Sequence, residues 1–320
     1  MKRIAVLTSG GDAPGMNAAV RAAVRTALHD GMQVYGVYRG YNGLINNDMK
    51  EMDLRSVSDI IHRGGTMLYT ARSPEFRTEA GLAKAAKVCA ERGIEGIVVI
   101  GGDGSFRGAQ DLSKYGVKCV CIPGTIDNDI ACSEQTIGYD TAMNTCMELA
   151  DKLRDTSQSH DRCSVIEVMG RHAGFIALNV GIAVGATSIL VPEIPYDLQK
   201  DVIDRIHATA ATGKKHFIIV VAEGVGHVTE IAEHIEEKTG FETRATILGH
   251  VQRGGAPTIR DRVLASRMGC AAVRLLQDGK TNRVLAMQQN RLVNLDIDEA
   301  LAMKKSIDPF VYAMAHDISI

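Results

Sequence analysis

The 320-residue chain has no tryptophan, and aromatic residues make up only 4% of it. That scarcity argues against stacking platforms for single-stranded nucleic acid. A formal net charge of -2 offers no broad basic surface to DNA or RNA, so anion binding has to rest on local groups of arginine. No apolar run approaches the roughly 20 residues a membrane span needs. The opening run Ile4-Ala5-Val6-Leu7 is also too short for the core of a signal peptide. None of the seven cysteines (Cys89, Cys119, Cys121, Cys132, Cys146, Cys163 and Cys270) forms a C-x-x-C pair. Their odd number and mostly apolar settings read as reduced, packed thiols rather than a disulfide framework or zinc site. A G-x-x-x-x-G-K-[ST] phosphate loop and a protein-kinase catalytic loop are missing too. These absences predict a cytoplasmic protein that binds neither nucleic acid nor membrane.

What is present is ordinary in bulk: 45% hydrophobic and 23% charged residues, enough to bury a real core. At ~100–200 residues per domain the length suggests two domains or one large unit. Short Val/Ile-rich runs read as strands at 3–8, 33–38, 96–100, 118–122, 164–168, 188–191, 217–222 and 283–287. Their continuous apolar character suits parallel sheets covered on both faces. Segments of helical period lie between them at 16–29, 81–92, 105–113, 140–156, 173–184, 199–212, 230–239 and 261–277. The alternation predicts an α/β fold of two Rossmann-like β-α-β layered domains with mainly parallel sheets. In such folds ligands gather where strands end.

Unusual residues cluster at those points. After the first strand comes Ser9-Gly10-Gly11-Asp12-Ala13-Pro14-Gly15-Met16-Asn17. Paired glycines let a ligand approach the backbone, and the following helix begins with free N–H groups. A tight turn with Asp12 as a helix cap fits the same residues. Gly101-Gly102-Asp103-Gly104-Ser105 repeats the arrangement more specifically, with glycines for phosphates and a carboxylate for a hard cation. The third segment, Pro123-Gly124-Thr125-Ile126-Asp127-Asn128-Asp129, would set Thr125, Asp127 and Asp129 on one side if extended. An Asx-rich loop capping itself remains open for it. Asp103 and Asp127, ending neighbouring strands, are expected to face one crevice. Arg72, Arg162, Arg171, Arg244 and Arg253 sit in glycine- or turn-rich contexts, where a planar guanidinium suits phosphate oxygens.

Taken together, Gly10 to Asn17, Gly101 to Ser105, Pro123 to Asp129, Met169 to Arg171 and Leu248 to Gly255 resemble the bacterial ATP-dependent 6-phosphofructokinase family. The likeness covers almost the whole chain. It implies that Gly11, Tyr41, Arg72, Ser73 and Gly102 line an ATP site together with Asp103, Gly104, Ser105 and Gly108. Asp103 would hold Mg2+. Asp127 would be the general base for the sugar's 1-hydroxyl, with Thr125, Ile126 and Asp129 beside it, and Arg171 would stabilise the transferring phosphoryl group. Met169, Gly170, Glu223, His250, Val251, Gln252 and Arg253 would hold fructose 6-phosphate. Arg162 and Arg244 would reach the site of a neighbouring subunit in a homotetramer. The resemblance also implies an ATP-binding domain at 1–138 plus about 256–306, and a sugar-phosphate domain at 139–255 plus about 307–320.

Two glycines bear on the phosphoryl donor. Pyrophosphate-dependent relatives carry Asp at position 104 and Lys at 124; Gly104 and Gly124 here imply ATP. At the family's effector site, where ADP activates and phosphoenolpyruvate inhibits, Arg21 and Arg25 lie four apart on one helix face. Asp59, Arg154, Gly185, Lys214, Lys215 and His216 match further effector positions, whereas Thr187 and Thr212 replace a magnesium-binding Glu and a phosphate-binding Arg. Blunted regulation with intact catalysis is the expectation. A pyrophosphate-dependent enzyme, a NAD or lipid kinase with the same glycine turn, a non-catalytic sensor and a dinucleotide oxidoreductase are the competing readings. The last lacks its G-x-G-x-x-G turn.

Overall fold

The computed structural model describes residues 1–319 and divides into two compact units. The first comprises Met1–Ile126, Ile130–Thr141 and Arg253–Lys305; the second comprises Asp127–Asp129, Ala142–Gln252 and the chain from Ser306 on. Apart from the short segment 127–129, the chain passes from the first unit to the second at 141/142, returns at 252/253 and passes again at 305/306.

The first unit holds strands β1 (Arg3–Ser9), β2 (Gln33–Val37), β3 (Met49–Met52), β4 (Gly96–Gly101) and β5 (Lys118–Pro123). Later in the chain it adds β10 (Arg283–Gln288) and β11 (Arg291–Asp296), after β6 (Cys163–Val168), β7 (Ser188–Leu190), β8 (Phe217–Ala222) and β9 (Thr243–Ile247) of the second unit. The seven-stranded sheet runs β11-β10-β5-β4-β1-β2-β3, and the four-stranded sheet β7-β8-β6-β9. The smaller sheet is wholly parallel. In the larger one only β3 and β11 run antiparallel to their neighbours. The expected α/β class with mainly parallel sheets is what the structure shows. Helices α1 (Met16–His29), α2 (Gly40–Ile45), α3 (Glu79–Arg92) and α4 (Asp103–Ser113) belong to the first unit, and α5 (Tyr139–Ser159) leads into the second. The second unit adds α6 (Phe175–Ala183), α7 (Asp204–Ala210) and α8 (Val228–Thr239). The first resumes with α9 (Ile259–Gln277) and α10 (Ile297–Ala302), and α11 (Pro309–Asp317) completes the second.

Every residue of β4 and of β8 is buried, as two-sided helix cover demands. Three strands that the sequence reading missed, β3, β9 and β11, all lie at sheet edges. Their solvent-facing positions interrupt the apolar run; β9 reads buried, exposed, half-buried, half-buried, exposed. The expected helix over 199–212 is instead a π turn at Gln199–Ile203 continued by α7. α3 begins two residues before its expected start because Thr78 caps it, its hydroxyl accepting from Gly81 N–H at 3.1 Å.

Candidate active site

In the first unit the parallel register places Ser9 opposite Gly101 and Gly101 opposite Pro123. The three glycine-bearing turns thus leave adjacent strands at the same end of the sheet. Gly10 has φ 88, which an L side chain rarely adopts, and Thr70 donates its hydroxyl to the Gly10 carbonyl at 2.6 Å. At Gly101 a Cβ would run into the Ser9 carbonyl oxygen, and the Gly124 N–H donates to the Gly101 carbonyl at 2.9 Å. Gly102 caps α4 without a side-chain bond, leaving the helix's first N–H groups for an anion. Beside them, nothing lies within 4 Å of where a Gly104 Cβ would be. Arg72 is exposed, whereas the Ser73 hydroxyl accepts from Phe76 N–H at 3.4 Å.

Tyr41 and Gly108 stand differently. The Tyr41 ring stacks on Phe76 at 4.0 Å, and its hydroxyl donates to the Ser105 carbonyl at 2.6 Å. It is 6% exposed, and burial pushes its phenol well above the ordinary value. A Cβ on Gly108 would meet this ring at 2.7 Å, so Gly108 makes room for Tyr41, which in turn braces the start of α4. Both serve the loop from beneath.

Asp103 opens α4 and pairs with Arg107 at 3.2 Å, both side chains being well exposed. Such an ion pair is weak. Magnesium in phosphoryl-transfer sites is held by one or two carboxylates plus phosphates and water. Among the described residues no three His, Cys, Asp or Glu cluster as a metal cage. Asp103, an accessible carboxylate at the start of a helix after a glycine turn, has the chemistry for that mode of binding.

Asn17 carries a role the sequence reading did not assign. Its side-chain amide donates to the carbonyls of Arg63 and Gly64 at 3.2 Å and accepts from Met67 N–H at 2.7 Å. It thereby fixes the stretch leading to Tyr69 and Arg72. Asp261, 1% exposed, accepts from Gly138 N–H at 2.9 Å and from Thr141 N–H at 2.8 Å, fastening the entry to α5. Burial, the largest influence, raises its carboxyl. Arg253, expected on the sugar phosphate, belongs to this unit and donates to the Asp12 carbonyl at 3.2 Å. A Cβ on Gly11 would come within 2.5 Å of its guanidinium.

The segment after Gly124 is not extended throughout. It bends at Ile126 and Asp127, and Asn128 is left-handed at φ 52, so Thr125, Asp127 and Asp129 do not follow a period of two. Thr125 N–H donates to the Ile137 carbonyl at 3.1 Å and Thr136 donates to the Thr125 carbonyl at 2.6 Å. Ile126, expected beside the substrate, is instead fully buried, its side chain against the space above Gly138. Asp127 is 6% exposed and Asp129 half-buried.

In the second unit β6 ends at Val168, followed by Met169, Gly170 at φ 145 and Arg171 at φ 59. Arg171 is exposed, and its backbone N–H donates to the Glu223 carboxylate. Arg162 and Arg244 share one carboxylate, Glu242: Arg162 Nε donates to it at 2.7 Å, and Arg244 pairs with its other oxygen. Glu242 was absent from the sequence reading because an isolated acid beside a strand carries no signal. The turn Gly249–Arg253 exposes His250 and Val251. Gln252, expected to touch substrate, is instead fully enclosed.

The effector candidates divide between the units. Arg21 and Arg25 sit on α1, and Asp59 is exposed in the same unit; burial and then Arg25 lower the Arg21 value. In the second unit Arg154 donates to the Val184 carbonyl, next to Gly185 at φ 57. Burial and then Arg154 lower Lys214; burial, Lys214 and Arg154 lower His216. Lys215 faces Asp161 at 3.8 Å.

The family model described as phosphofructokinase matches residues 3–276. The chain belongs to the phosphofructokinase family. It is 57% identical over 320 residues, all of both chains, to an ATP-dependent 6-phosphofructokinase of Brevibacillus brevis. A phosphofructokinase structure from Saccharomyces cerevisiae superimposes with TM-score 0.89 at 35% identity, covering 100% of this chain and 48% of that one. A pyrophosphate-dependent phosphofructokinase from Marinobacter aquaeolei gives TM-score 0.86 at 20% identity, covering 96% of this chain and 86% of that one. That second structure speaks for the phosphofructokinase fold alone. Among the described residues no helix is long and apolar enough to cross a membrane.

Proposed function

We propose that this phosphofructokinase transfers the γ-phosphoryl group of MgATP to the 1-hydroxyl of fructose 6-phosphate, a step of glycolysis. Three glycine turns side by side at one end of the seven-stranded sheet carry the reading, and the full-length relative of that name supports it. Gly11, Gly102, Gly104 and Ser105 take the nucleotide phosphates, with Arg72 and Ser73 beside them. Gly104 favours ATP, since its open surroundings leave the space an acidic side chain would fill with charge. Asp103 would hold magnesium, which bridges phosphate oxygens and offsets their charge.

Asp127 accepts the proton of the 1-hydroxyl, Thr125 and Asp129 help orient it, and Arg171 stabilises charge on the moving phosphoryl group. Gly170, Glu223, His250 and Arg253 hold the sugar phosphate, and Arg162 with Arg244 serve the site of a neighbouring subunit in a homotetramer. The test is a coupled assay with ATP against pyrophosphate, run beside Asp127→Ala. ATP should be the working donor, and the variant should keep sugar binding while turnover falls by about two to four orders of magnitude. Retained turnover would remove Asp127 from this role.

Regulation by ADP and phosphoenolpyruvate is proposed to be weak. Thr187 carries no carboxylate for an effector's magnesium, and it is 1% exposed with its carbonyl accepting from Arg205 Nε at 3.1 Å. Thr212 folds its hydroxyl back onto the Thr209 carbonyl at 2.7 Å. A missing charge-assisted bond weakens phosphate binding by about 1.5–3 kcal/mol. Large shifts of sugar half-saturation with millimolar effector would overturn the proposal.

A further inference from the structure

Gln252 is fully buried, and its side-chain oxygen and nitrogen both find partners inside the second unit. Its Oε1 accepts from Met169 N–H at 3.0 Å and from the Cys146 thiol at 2.9 Å. Its Nε2 donates to the Gly249 carbonyl at 2.9 Å. One amide therefore ties α5, the end of β6 and the turn Gly249–Arg253 to each other. We infer that Gln252 is a positioning residue, which sets the Met169-Gly170-Arg171 turn and the His250 turn in register and touches no substrate itself.

The backbone it fixes needs holding. Gly170 at φ 145 and Arg171 at φ 59 are successive left-handed positions, and a Cβ on Gly170 would run into the Ala173 carbonyl oxygen. Such conformations persist only where the surroundings over-determine them. Here the turn is gripped at both ends, by Gln252 on Met169 N–H and by Glu223 on Arg171 N–H. Between those grips the exposed Arg171 side chain is aimed. Only an amide satisfies the three partners at once. A glutamate would bury a charge and lose the donor to Gly249, and a leucine would leave the Met169 N–H orphaned. Burial pushes Cys146 up to about 12, so its sulfur keeps the proton that it donates.

The inference rests on the reading of Arg171 and the His250 turn as the sugar-phosphate side, and the experiment separates the two. KM values for fructose 6-phosphate and for ATP are measured for Gln252→Leu, Cys146→Ala, Cys146→Ser and Arg171→Ala, each first checked by circular dichroism. Gln252→Leu should raise the sugar KM on the order of ten- to hundredfold and leave the ATP KM unchanged. Cys146→Ala should raise the sugar KM severalfold, and Cys146→Ser, which keeps a donor, should restore it. Equal losses for both substrates, or folded Gln252→Leu with an unchanged sugar KM, would overturn the positioning role. Should Gln252→Leu fail to fold, the alanine and serine variants of Cys146 decide: no difference between them overturns it. Arg171→Ala with unaltered sugar kinetics would instead sink the functional reading.

Discussion

The two units build the turns proposed to meet ligands by opposite means. In the seven-stranded unit the backbone turns on Gly10, Gly101, Gly102 and Gly124, where missing side chains let neighbouring segments of the chain come close. In the four-stranded unit the turn after β6 is a strained one propped by added side chains, Gln252 and Glu223, while Glu242 gathers two arginines. The first design is damaged by adding atoms and the second by removing them. A phosphate lying on backbone N–H groups needs proximity, whereas a phosphate met by guanidinium groups needs those long side chains aimed.

The sharpest way to test the contrast is Gly104→Asp. With nothing within 4 Å of the new Cβ, the fold should be untouched and the unfolding temperature unchanged. The carboxylate would face the nucleotide phosphates, and like charges brought together cost several kcal/mol, so ATP-dependent turnover should fall at least about a hundredfold. A variant with normal ATP kinetics would show that the space is not reserved for phosphate. Gly101→Ala should behave in the reverse manner, because its Cβ meets the Ser9 carbonyl and the Ser105 hydroxyl. Overpacking of this kind costs about 1–3 kcal/mol, measurable as a shifted urea midpoint with an unchanged slope.

These residues also mark how far the sequence could be read. The glycine turns were legible because glycines and a carboxylate directly after a Val/Ile run constrain backbone and chemistry together. Helix α1 was legible to the residue, since Arg21, Arg25, Thr26 and His29 leave a continuous apolar stripe between its bounds. Edge strands β3, β9 and β11 were hidden by their solvent-facing positions. Props were hidden for another reason. Asn17 acts on Arg63 46 positions away, Glu242 joins Arg162 80 away to its neighbour Arg244, and Gln252 reaches partners 83 and 106 away besides Gly249, separations that no local pattern encodes. Tyr41 and Gly108 were matched by resemblance, yet their relation, a ring filling the place of a missing side chain, is visible only in three dimensions.

Tyr41→Phe probes the brace beneath the carved loop. It deletes the bond to the Ser105 carbonyl and keeps the ring on Phe76. A loss of about 1 kcal/mol in stability is expected, with a smaller rise in the ATP KM and none in the sugar KM. A rise in the sugar KM alone would contradict the assignment of this brace to the nucleotide side.

Glu242→Gln is the mildest change and bears on the propped unit. Hydrogen bonding and attraction from Arg162, then from Arg244, outweigh desolvation and hold the Glu242 carboxyl below its ordinary value. A carboxylate depressed in the folded state adds stability above its unfolded value and loses it as pH falls through the folded value. The gap in unfolding temperature between wild type and variant should therefore be small at neutral pH, shrink below about 4.3, and vanish in stronger acid. The kinetic effect should be larger than the stability effect, because both arginines would lose their common anchor while keeping their charge. If the pair serves a sugar phosphate, the variant's sugar KM should rise modestly and grow more sensitive to salt, since unanchored guanidinium groups are screened more readily. An unchanged salt dependence would mean that Glu242 merely neutralises the arginines and does not aim them.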